Sequence, residues 1–411
     1  MKINLPTGQR QLGFTIPAGC SFIRPGQVKQ DVDKDAFVQE LVNQIDHFNF
    51  KTKKRCLSVA VVVADKTRLS ELPKFITWIE NALQESKIQD FELKFFIAYG
   101  SHPKQSESES FTVYGENYSK YQFIHHNAVS RNFQDFGTTS RGTQILINAR
   151  LFTENDLVIT FGAVSHHYFA GFGGGRKLIF PGLAKLSSIK HNHSLFLDFP
   201  HRTLHKQCQS GVLEGNPLAE DLKEIYIKLP ATIGIHTVLN HEGKVSAFKI
   251  GTDYASFQEA CRLYESYYKT NAGDTFDLVV ASTGGFPKDI NFIQSHKSIH
   301  SAFRFVRDHG KLILLAECKD GIGNDKLLEI FKLKEWDQIF PDDRRKYENN
   351  TGTALAQLEK SIRIQIQLLT SMDQATCKIL GVEKIDHQIA QKTIDNHSGT
   401  IGVIENAALI Y

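Results

Sequence analysis

The sequence predicts an α/β protein of two domains, each built around a mostly parallel sheet. Short apolar runs bounded by turn residues recur along the chain, as in strands that helices cover on both faces. Amphipathic stretches of helix length follow several of these runs, which is the alternation of an α/β fold. The 411 residues amount to about 2.7 domains of average size, which favours two domains over one or three.

The predicted elements follow one another in a simple order along the chain. Apolar runs predict strands at residues 57–64, 91–98, 157–161, 278–281 and 312–315. Helical periodicity predicts helices at residues 72–87, 254–268 and 293–308. The polar segment 270–274 predicts a boundary between one domain at residues 1–270 and another at residues 271–411. We expect the last strand, within residues 400–411, to pack back on the first domain.

Charge and composition argue against several classes of function. Lys and Arg number 48 and Asp and Glu 45, and the net charge of +3 is too small for sequence-independent binding to a nucleic-acid backbone. No window approaches the ~18 uncharged apolar residues of a membrane span, and the first residues lack the apolar core of a signal peptide. The six cysteines form no Cys-x-x-Cys pair, which fits reduced thiols. We therefore expect a cytoplasmic protein with no nucleic-acid and no membrane partner.

Polar residues after the first two predicted strands are candidates for a ligand site, because ligands of open α/β sheets bind beyond the carboxyl ends of strands. Asp65 and Arg68 follow the strand 57–64, and a guanidinium can hold a carboxylate or phosphate through two hydrogen bonds. The alternative for Asp65 is a cap on the helix that follows. His102 follows the strand 91–98, where the alternative is an ordinary loop histidine.

The third predicted strand leads into the most unusual stretch of the sequence, which runs to Lys177 and holds four glycines within residues 171–175. Glycines cost backbone entropy, so we expect either positive φ angles or a close approach of the backbone to a ligand. Two phosphate-binding motifs do not fit. A P-loop would need Ser or Thr after Lys177, and a dinucleotide fingerprint from Gly171 would need glycine in place of Arg176. We expect the loop to bind an anion through its amides and Arg176.

Histidines near this loop indicate a metal site that the protein alone does not complete. His166 and His167 are adjacent and point in different directions, so we expect at most one of them to face a site. His191 and His193 are two residues apart and cannot share a helix face. Because there is no His-Glu-x-x-His motif and no cysteine nearby, a metal here would need ligands from another molecule.

The fourth predicted strand is followed by Gly284-Gly285-Phe286-Pro287 and then by a predicted helix. Gln294 and Lys297 are three residues apart on that helix, so their side chains project together and could hold a small oxyacid. The alternative is an ordinary helix start that faces solvent.

In this order the motifs resemble those of the nickel-dependent lactate racemase family, the racemases and epimerases of 2-hydroxyacids. The stretch from His167 to Lys177 is similar to the family signature, and His193 follows Lys177 at the family spacing of sixteen residues. Further motifs similar to those of the family are Asp65-x-Thr67-Arg68, Gly100-Ser101-His102 and Gly284-Gly285-Phe286-Pro287. The resemblance extends over nearly the whole chain.

The resemblance implies a cofactor and the residues that hold it. Lys177 would form a thioamide to a nickel-pincer nucleotide derived from nicotinic acid, and His193 would be the protein ligand to nickel. The nucleotide would supply sulfur and carbon ligands, which accounts for the incomplete metal set. The further residues implied to bind this cofactor are Asp65, Gly173, Gly174, Gly175 and Arg176. Proteins that make and insert the nickel cofactor are implied as partners.

The resemblance also implies a reaction, the racemisation or epimerisation of a small-molecule 2-hydroxyacid by an isomerase. His102 and His167 are implied to be the acid/base residues, and the implied substrate-binding residues are Arg68, Gln294 and Lys297. One histidine would take the hydroxyl proton while hydride passes reversibly from Cα to the cofactor, which gives a 2-oxoacid. The other histidine would serve the opposite face.

On this scheme residues 1–270 form the cofactor-binding and catalytic domain, and residues 271–411 form a C-terminal α/β domain that contributes substrate-binding residues. We expect the active site in the cleft between the two domains. Pro103 and Ile293 depart from the family pattern beside the implied substrate residues, which weakens the case for lactate itself. Malate, aromatic hydroxyacids and sugar acids share the carboxylate and carbinol that these residues would recognise.

Two other functions are compatible with parts of the sequence. A nicotinamide-dependent hydroxyacid dehydrogenase could use a histidine and an arginine, but the dinucleotide fingerprint is missing. A two-domain carboxylate-binding protein could use Arg68 and Lys297, but it would leave His167 and Lys177 without a role.

Overall fold

The computed structural model describes residues 1–26, 31–50, 54–68, 70–268, 270 and 273–410. The chain forms two compact units, each assembled from separate segments of the sequence. We call residues 27–193 and 207–267 the glycine-loop unit, and residues 1–26, 194–206 and 268–411 the terminal unit. None of the helices in the described part of the chain has both the length and the apolar character of a membrane-spanning helix.

The glycine-loop unit is built on a sheet that is parallel except at one edge. From that antiparallel edge its strands are Val245–Gly251, Ile233–Leu239, Leu157–Ala163, Cys56–Ala64, Asp90–Ala98 and Gln122–His125. The central strands are rich in β-branched residues because helices cover them. Val59, Val61 and Val63, for example, share a core with Phe75 and Ile79 of the helix Leu72–Glu85.

Helices and small hairpins connect these strands. The helices that lie in this unit or end at its border are Lys34–Asp46, Leu72–Glu85, Glu107–Tyr114, Asn117–Lys120, Ala149–Thr153, Leu186–Ser194, Pro217–Lys228 and Tyr254–Tyr268. The paired antiparallel strands are Phe133–Thr138 with Gln144–Asn148, and Ser165–His167 with Gly171–Gly173. A 3-10 helix, Gly175–Leu178, follows the second pair.

The terminal unit contains a parallel sheet with strands from both ends of the chain. In spatial order they are Glu383–Ile385, Gln365–Leu369, Val306–Leu315, Phe276–Ser282, Ile401–Ile404 and Ser21–Phe22. The N-terminal strands Lys2–Thr7 and Arg10–Thr15 form a hairpin, whose Leu5 and Phe14 join a core with Leu278 of the sheet.

The remaining elements of the terminal unit are mostly helices. They are Phe292–Phe303, Asp325–Phe331, Trp336–Ile339, Thr351–Arg363, Gln374–Ile379 and His387–Asp395, with a 3-10 helix at Arg344–Lys346. The short strands Leu197–Asp198 and Thr203–Leu204 pair with each other.

The structure confirms the predicted α/β class with mostly parallel sheets, and every predicted strand lies within an observed one. The predicted helix at 293–308 is too long. The observed helix ends at Phe303, and the next strand begins at Val306. Val306 pairs with Phe276 and is buried with it, so pairing within the sheet and burial replace the helical continuation that the sequence pattern suggested.

The segments also differ from the expected division at residue 270. The last strand, Ile401–Ile404, lies in the sheet of the terminal unit, between Phe276–Ser282 of the expected second domain and Ser21–Phe22 of the expected first domain. The N-terminal residues 1–26, which the sequence assigned to the first domain, belong to the terminal unit. Their strand Ser21–Phe22 pairs with the edge of Ile401–Ile404. Pairing satisfies the backbone groups of that exposed edge. Of the predicted boundary segment, residues 271 and 272 lie outside the described residues.

Candidate active site

The ends of two neighbouring strands of the glycine-loop unit bring Asp65 and His102 together. Ala64 and Ala98 are paired in parallel register, so the two loops that follow begin side by side. His102 Nδ1 lies 2.7 Å from Asp65 Oδ2. Asp65 Oδ1 accepts hydrogen bonds from the Thr67 amide at 3.0 Å and from the Thr67 hydroxyl at 2.6 Å. Asp65 is therefore a partner of His102 rather than the side-chain cap of a helix.

The charge of Asp65 is held by its partners. The residue is only 3% exposed, and burial alone would raise its pKa. His102, the Thr67 hydrogen bonds and Arg68 outweigh burial and lower the pKa of Asp65 to about 2. Because an ionised carboxylate only accepts hydrogen bonds, His102 Nδ1 carries the proton, and Nε2 is left to accept one from a ligand.

Arg68 lies close to both halves of the candidate site. Its Nη1 donates to the Thr67 carbonyl at 2.9 Å and to the Thr67 hydroxyl at 3.2 Å. Its positive charge lowers the pKa of Asp65 and that of Lys177. A guanidinium in this position can bind the carboxylate of a ligand.

The glycine-rich segment folds tightly against the rest of the unit. Gly171 and Gly174 have φ angles of 75° and 74°. A Cβ on Gly171 would lie 2.3 Å from the Val212 carbonyl oxygen, and one on Gly174 would lie 2.2 Å from the Ala163 carbonyl oxygen. The expectation of positive φ is confirmed for these residues, and the close approach is to the protein's own backbone.

Gly173 differs from its neighbours in the same segment. Its φ is not in the left-handed region, and a Cβ there would have only ordinary contacts, 3.6 Å to Ser165 Oγ and 4.0 Å to His167 Cδ2. The fold therefore does not require glycine at this position. The missing side chain leaves space beside the His167 ring.

Arg176 is bonded to groups of the protein. It is 4% exposed, and its guanidinium donates to the Ala219 carbonyl at 2.8 Å, the Ala170 carbonyl at 3.3 Å and the Tyr254 hydroxyl at 2.5 Å. Its Nε has no hydrogen-bond partner among the described residues, and the binding of an anion by this residue stays a prediction. Its role is to hold the loop that precedes Lys177.

The ring of Phe169 brings three predicted residues together. Its centroid lies 4.4 Å from that of His167 and 5.2 Å from that of His193, and Lys177 Nζ lies 5.4 Å from it. Residues that are ten and sixteen positions apart in the sequence thus contact one aromatic side chain.

The amine of Lys177 lies in surroundings that disfavour its charge. Burial lowers its pKa well below the usual value, and the positive charges of Arg176 and Arg68 lower it further. Among the described residues, no side chain forms an ion pair or hydrogen bond with Lys177 Nζ. An uncharged amine has a free electron pair and is a nucleophile.

The imidazole of His193 is also kept neutral. Burial above all, together with the charges of Lys177 and His102, lowers its pKa to about 3. A neutral imidazole can ligate a metal. Within the described residues, no group of three or more His, Cys, Asp or Glu side chains is placed to hold a metal ion.

The two adjacent histidines have different surroundings, as their sequence positions predict. The Ala170 amide lies 3.4 Å from His167 Nδ1, and the His167 ring packs on Phe169. The His166 ring packs instead against Tyr264 and Phe172, with centroids 4.8 and 5.2 Å away. His167 thus shares the Phe169 ring with His193 and Lys177.

Gln294 and Lys297 belong to the terminal unit. Lys297 Nζ donates to Gln294 Oε1 at 2.8 Å, so the two side chains project together as predicted. Gln294 is 6% exposed, which does not fit the alternative of a solvent-facing helix start.

Two functional features were missed by sequence reasoning. Phe169 lies in the stretch from His167 to Lys177, but the sequence assigns it no role, because an aromatic residue in a sequence does not indicate what its ring contacts. Asn216 caps the helix Pro217–Lys228 and also donates to the Phe169 carbonyl at 3.0 Å. The Asn-Pro pair is a helix-start signal that could have located this helix.

Family models and known relatives match this chain. Models of the lactate racemase N-terminal domain and the lactate racemase C-terminal domain match residues 7–204 and 272–396. A lactate racemase of Thermoanaerobacterium thermosaccharolyticum is 30% identical over 346 residues, which cover 80% of this chain and 78% of that protein. A lactate racemase of Lactiplantibacillus plantarum is 27% identical over 274 residues, 65% of this chain and 62% of that protein.

Solved structures share the fold. The lactate racemase apoprotein from T. thermosaccharolyticum superposes with a TM-score of 0.83 at 23% identity, covering 100% of this chain and 99% of that chain. A protein from Thermotoga maritima gives a TM-score of 0.70 at 15% identity, covering 93% and 99%. The protein is therefore of the racemase class, an α/β isomerase. It belongs to the lactate racemase family.

Proposed function

We propose that this chain is a racemase or epimerase of a 2-hydroxyacid that carries a nickel-pincer nucleotide on Lys177. The observation that carries the proposal is the gathering of Lys177, His193 and His167 around the Phe169 ring in the unit that also holds the Asp65–His102 pair.

The residues fit such a group. Burial lowers the pKa of Lys177 and so favours the nucleophilic form of its amine, which can form a covalent bond to the group. The neutral His193 imidazole can ligate a metal, for which the described residues offer no group of three or more ligands of their own. Gly173 carries no side chain beside His167 that would compete with the group. When bound, the group would supply a hydride acceptor for the substrate Cα and sulfur and carbon ligands for the nickel.

The chain's own contribution is to bind the substrate and to move its hydroxyl proton. The Cα hydrogen of a hydroxyacid is a very weak acid, but it can leave as hydride when the hydroxyl loses its proton at the same time. His102 Nε2 can take that proton, because Asp65 fixes the Nδ1–H tautomer and stabilises the imidazolium that forms. This half-reaction leaves a 2-oxoacid and a protonated His102, and the bound group would supply the acceptor for the hydride.

The second histidine serves the other enantiomer. The Ala170 amide faces His167 Nδ1, which leaves His167 Nε2 to carry a proton in the neutral ring. One imidazole is thus set to accept a proton and the other to donate one, as a reaction that inverts a carbinol requires. Arg68 would hold the substrate carboxylate while the carbonyl turns. Contacts from Gln294 and Lys297 stay a prediction, as does the dependence on partner proteins that make and insert the nucleotide.

The test is expression together with proteins that make the nucleotide, followed by intact mass and chiral chromatography. We expect the wild type to carry the added mass and to interconvert the enantiomers of at least one acid in a panel of lactate, malate, aromatic hydroxyacids and sugar acids. Lys177→Ala should lose both the mass and the activity. A Lys177→Ala protein that racemises normally would refute the proposal. Binding of an acid without change of configuration would favour a carboxylate-binding protein instead.

A further inference from the structure

A buried carboxylate outside the proposed chemistry anchors the site. Asp221 has no exposed surface and accepts hydrogen bonds from the Thr139 hydroxyl at 2.5 Å, the Thr143 hydroxyl at 2.7 Å and Asn192 Nδ2 at 2.8 Å. None of the described basic side chains forms an ion pair with it. A carboxylate that loses all its water needs well-placed donors, so these three bonds define one geometry.

One of the three donors belongs to the helix that carries His193. Asn192 precedes His193 in the helix Leu186–Ser194 and is 1% exposed. His191 lies on the other side of Asn192 in the sequence, and its Nε2 is 2.9 Å from the Arg141 carbonyl oxygen. Consecutive residues of a helix point about 100° apart. Fixing the side chains of 191 and 192 therefore fixes the rotation of this helical turn and the direction of the His193 imidazole.

The helix Pro217–Lys228, which carries Asp221, also holds the other parts of the site. We call it the anchor helix. Its capping residue Asn216 donates to the Phe169 carbonyl, and its Ala219 carbonyl accepts from Arg176, the neighbour of Lys177. The first turns of one helix are thus bonded to Phe169, to the neighbour of Lys177 and to the neighbour of His193.

We propose that Asp221 is a positioning residue that, through Asn192, fixes the His193 imidazole against Phe169 and at a set distance from Lys177. The importance of that distance rests on the proposed function, because a metal held by His193 and a group bonded to Lys177 must meet within a few tenths of an ångström. Residues that orient a metal ligand in this way typically change metal affinity or activity by about 10- to 100-fold when they are lost.

Four variants separate positioning from general stability. Asp221→Leu removes both carboxylate oxygens and with them all three hydrogen bonds. Should Asp221→Leu fail to fold, Asn192→Leu removes the hydrogen bond between Asp221 and the His193 helix alone. Asp221→Asn is the conservative rescue, because its oxygen can still accept from Asn192 and a threonine hydroxyl can reverse to accept from its amide. Glu224→Leu is the matched control. Glu224 is a carboxylate on the same helix that accepts from the Ser140 amide and hydroxyl but bonds to no neighbour of His193.

The first measurement uses the apoprotein, so it does not depend on the proposed reaction. Diethyl pyrocarbonate acylates neutral imidazoles, and peptide mass spectrometry gives the rate at His193 relative to His102. We expect Asp221→Leu and Asn192→Leu to raise that ratio by about tenfold, since the ring is released from Phe169. Asp221→Asn and Glu224→Leu should stay near the wild-type ratio. Unchanged ratios in both leucine variants would overturn the proposal, even if their melting temperatures fell.

The second measurement uses protein loaded with the nucleotide. We expect Asp221→Leu to lower kcat by about 10- to 100-fold with little change in KM, to alter the visible absorption of the metal centre, and to be rescued by Asp221→Asn. Equal losses in Glu224→Leu would show a merely structural effect. If the loaded wild type racemises nothing while the His193 labelling responds as expected, the proposed function fails and the positioning role stands.

Discussion

The two ends of the candidate site lose water and respond in opposite ways. At one end, Asp65 is almost fully buried and its pKa falls to about 2, so it keeps its charge. At the other end, Lys177 and His193 lie against the Phe169 ring, and burial lowers the pKa values of both, which favours their neutral forms.

The difference lies in the partners that each end supplies. Asp65 receives hydrogen bonds from His102 and Thr67, whereas the amine and imidazole at the other end face an aromatic ring and positive neighbours. Burial alone therefore does not decide the charge of a group; the hydrogen bonds provided with it do. In the proposed reaction the charged end orients a base, and the neutral end offers a nucleophile and a metal ligand.

The largest expected effect comes from removing the charge at the first end. Asp65→Asn would turn an amide N–H toward His102 Nδ1, so the imidazole would carry its proton on Nε2 and could no longer accept one there. The same tautomer change costs about 10⁴-fold in a serine protease triad, and we expect a loss of at least about 10³-fold in racemisation by the loaded enzyme. Glu109→Gln is the matched control. Glu109 pairs with Lys66, the neighbour of Asp65, and should leave the rate within about twofold.

Acid unfolding tests the charge of Asp65 without any need for the reaction. The folded pKa of about 2 lies below the ordinary 3.8, so Asp65 contributes stability that is present above about pH 4 and is lost as pH falls through 2. The shift corresponds to about 2 kcal/mol. The free energy of unfolding of the wild type should exceed that of Asp65→Asn by about this amount at pH 6, and the gap should close toward pH 2. A gap independent of pH would contradict the charged state of Asp65.

The second largest effect tests whether the neutral end has room for a bound group. Gly173→Ala adds a Cβ with ordinary contacts beside His167, so the free energy of unfolding should change by less than about 1 kcal/mol. The same methyl group would occupy space proposed for the cofactor. We therefore expect either the amount of nucleotide bound to Lys177 or the rate of racemisation to fall by about 100-fold, the loss that a misplacement of about 1 Å can cause. Intact mass and chiral chromatography measure the two.

Gly174→Ala is the contrasting substitution one residue away. Its Cβ would lie 2.2 Å from the Ala163 carbonyl oxygen at a φ of 74°, so we expect a loss of about 3 kcal/mol or more in unfolding free energy. Normal loading of Gly173→Ala, or equal destabilisation by the two substitutions, would show that Gly173 serves the fold alone.

The fold was largely predictable because its central strands carry their own signal. Runs such as 57–64 and 157–161 are apolar on both faces, and nothing but a covered strand explains them at that length. The segment 305–308 was assigned to a helix because its apolar residues fit both periods. The entry of residues 1–26 into the C-terminal sheet was also missed, because a two-residue strand such as Ser21–Phe22 has no periodicity to detect.

The site was predictable where local motifs carry it and not where distant contacts do. The Asp65–His102 pair follows from the rule that parallel strand ends lie side by side. The sequence does not predict that the Arg176 side chain points into the protein, because its partners Ala219 and Tyr254 are more than forty residues away in the sequence. Asp221 was invisible for the same reason, since a lone acidic residue in an amphipathic helix is most often solvated.

The smallest expected effect asks whether Phe169 itself keeps the second end neutral. Phe169→Ala would admit water next to Lys177 Nζ and raise the pKa of the lysine toward its ordinary value, because hydration favours the charged amine. Competitive acetylation across a pH series, with mass spectrometry of the peptide that contains Lys177, measures this pKa in the apoprotein. Phe172→Ala is the control, because its ring packs on His166 instead. If both variants leave the pKa of Lys177 at its wild-type value, the charges of Arg176 and Arg68, and not the apolar ring, lower the pKa of the amine. The two ends of the site would then differ only in the charges that surround them.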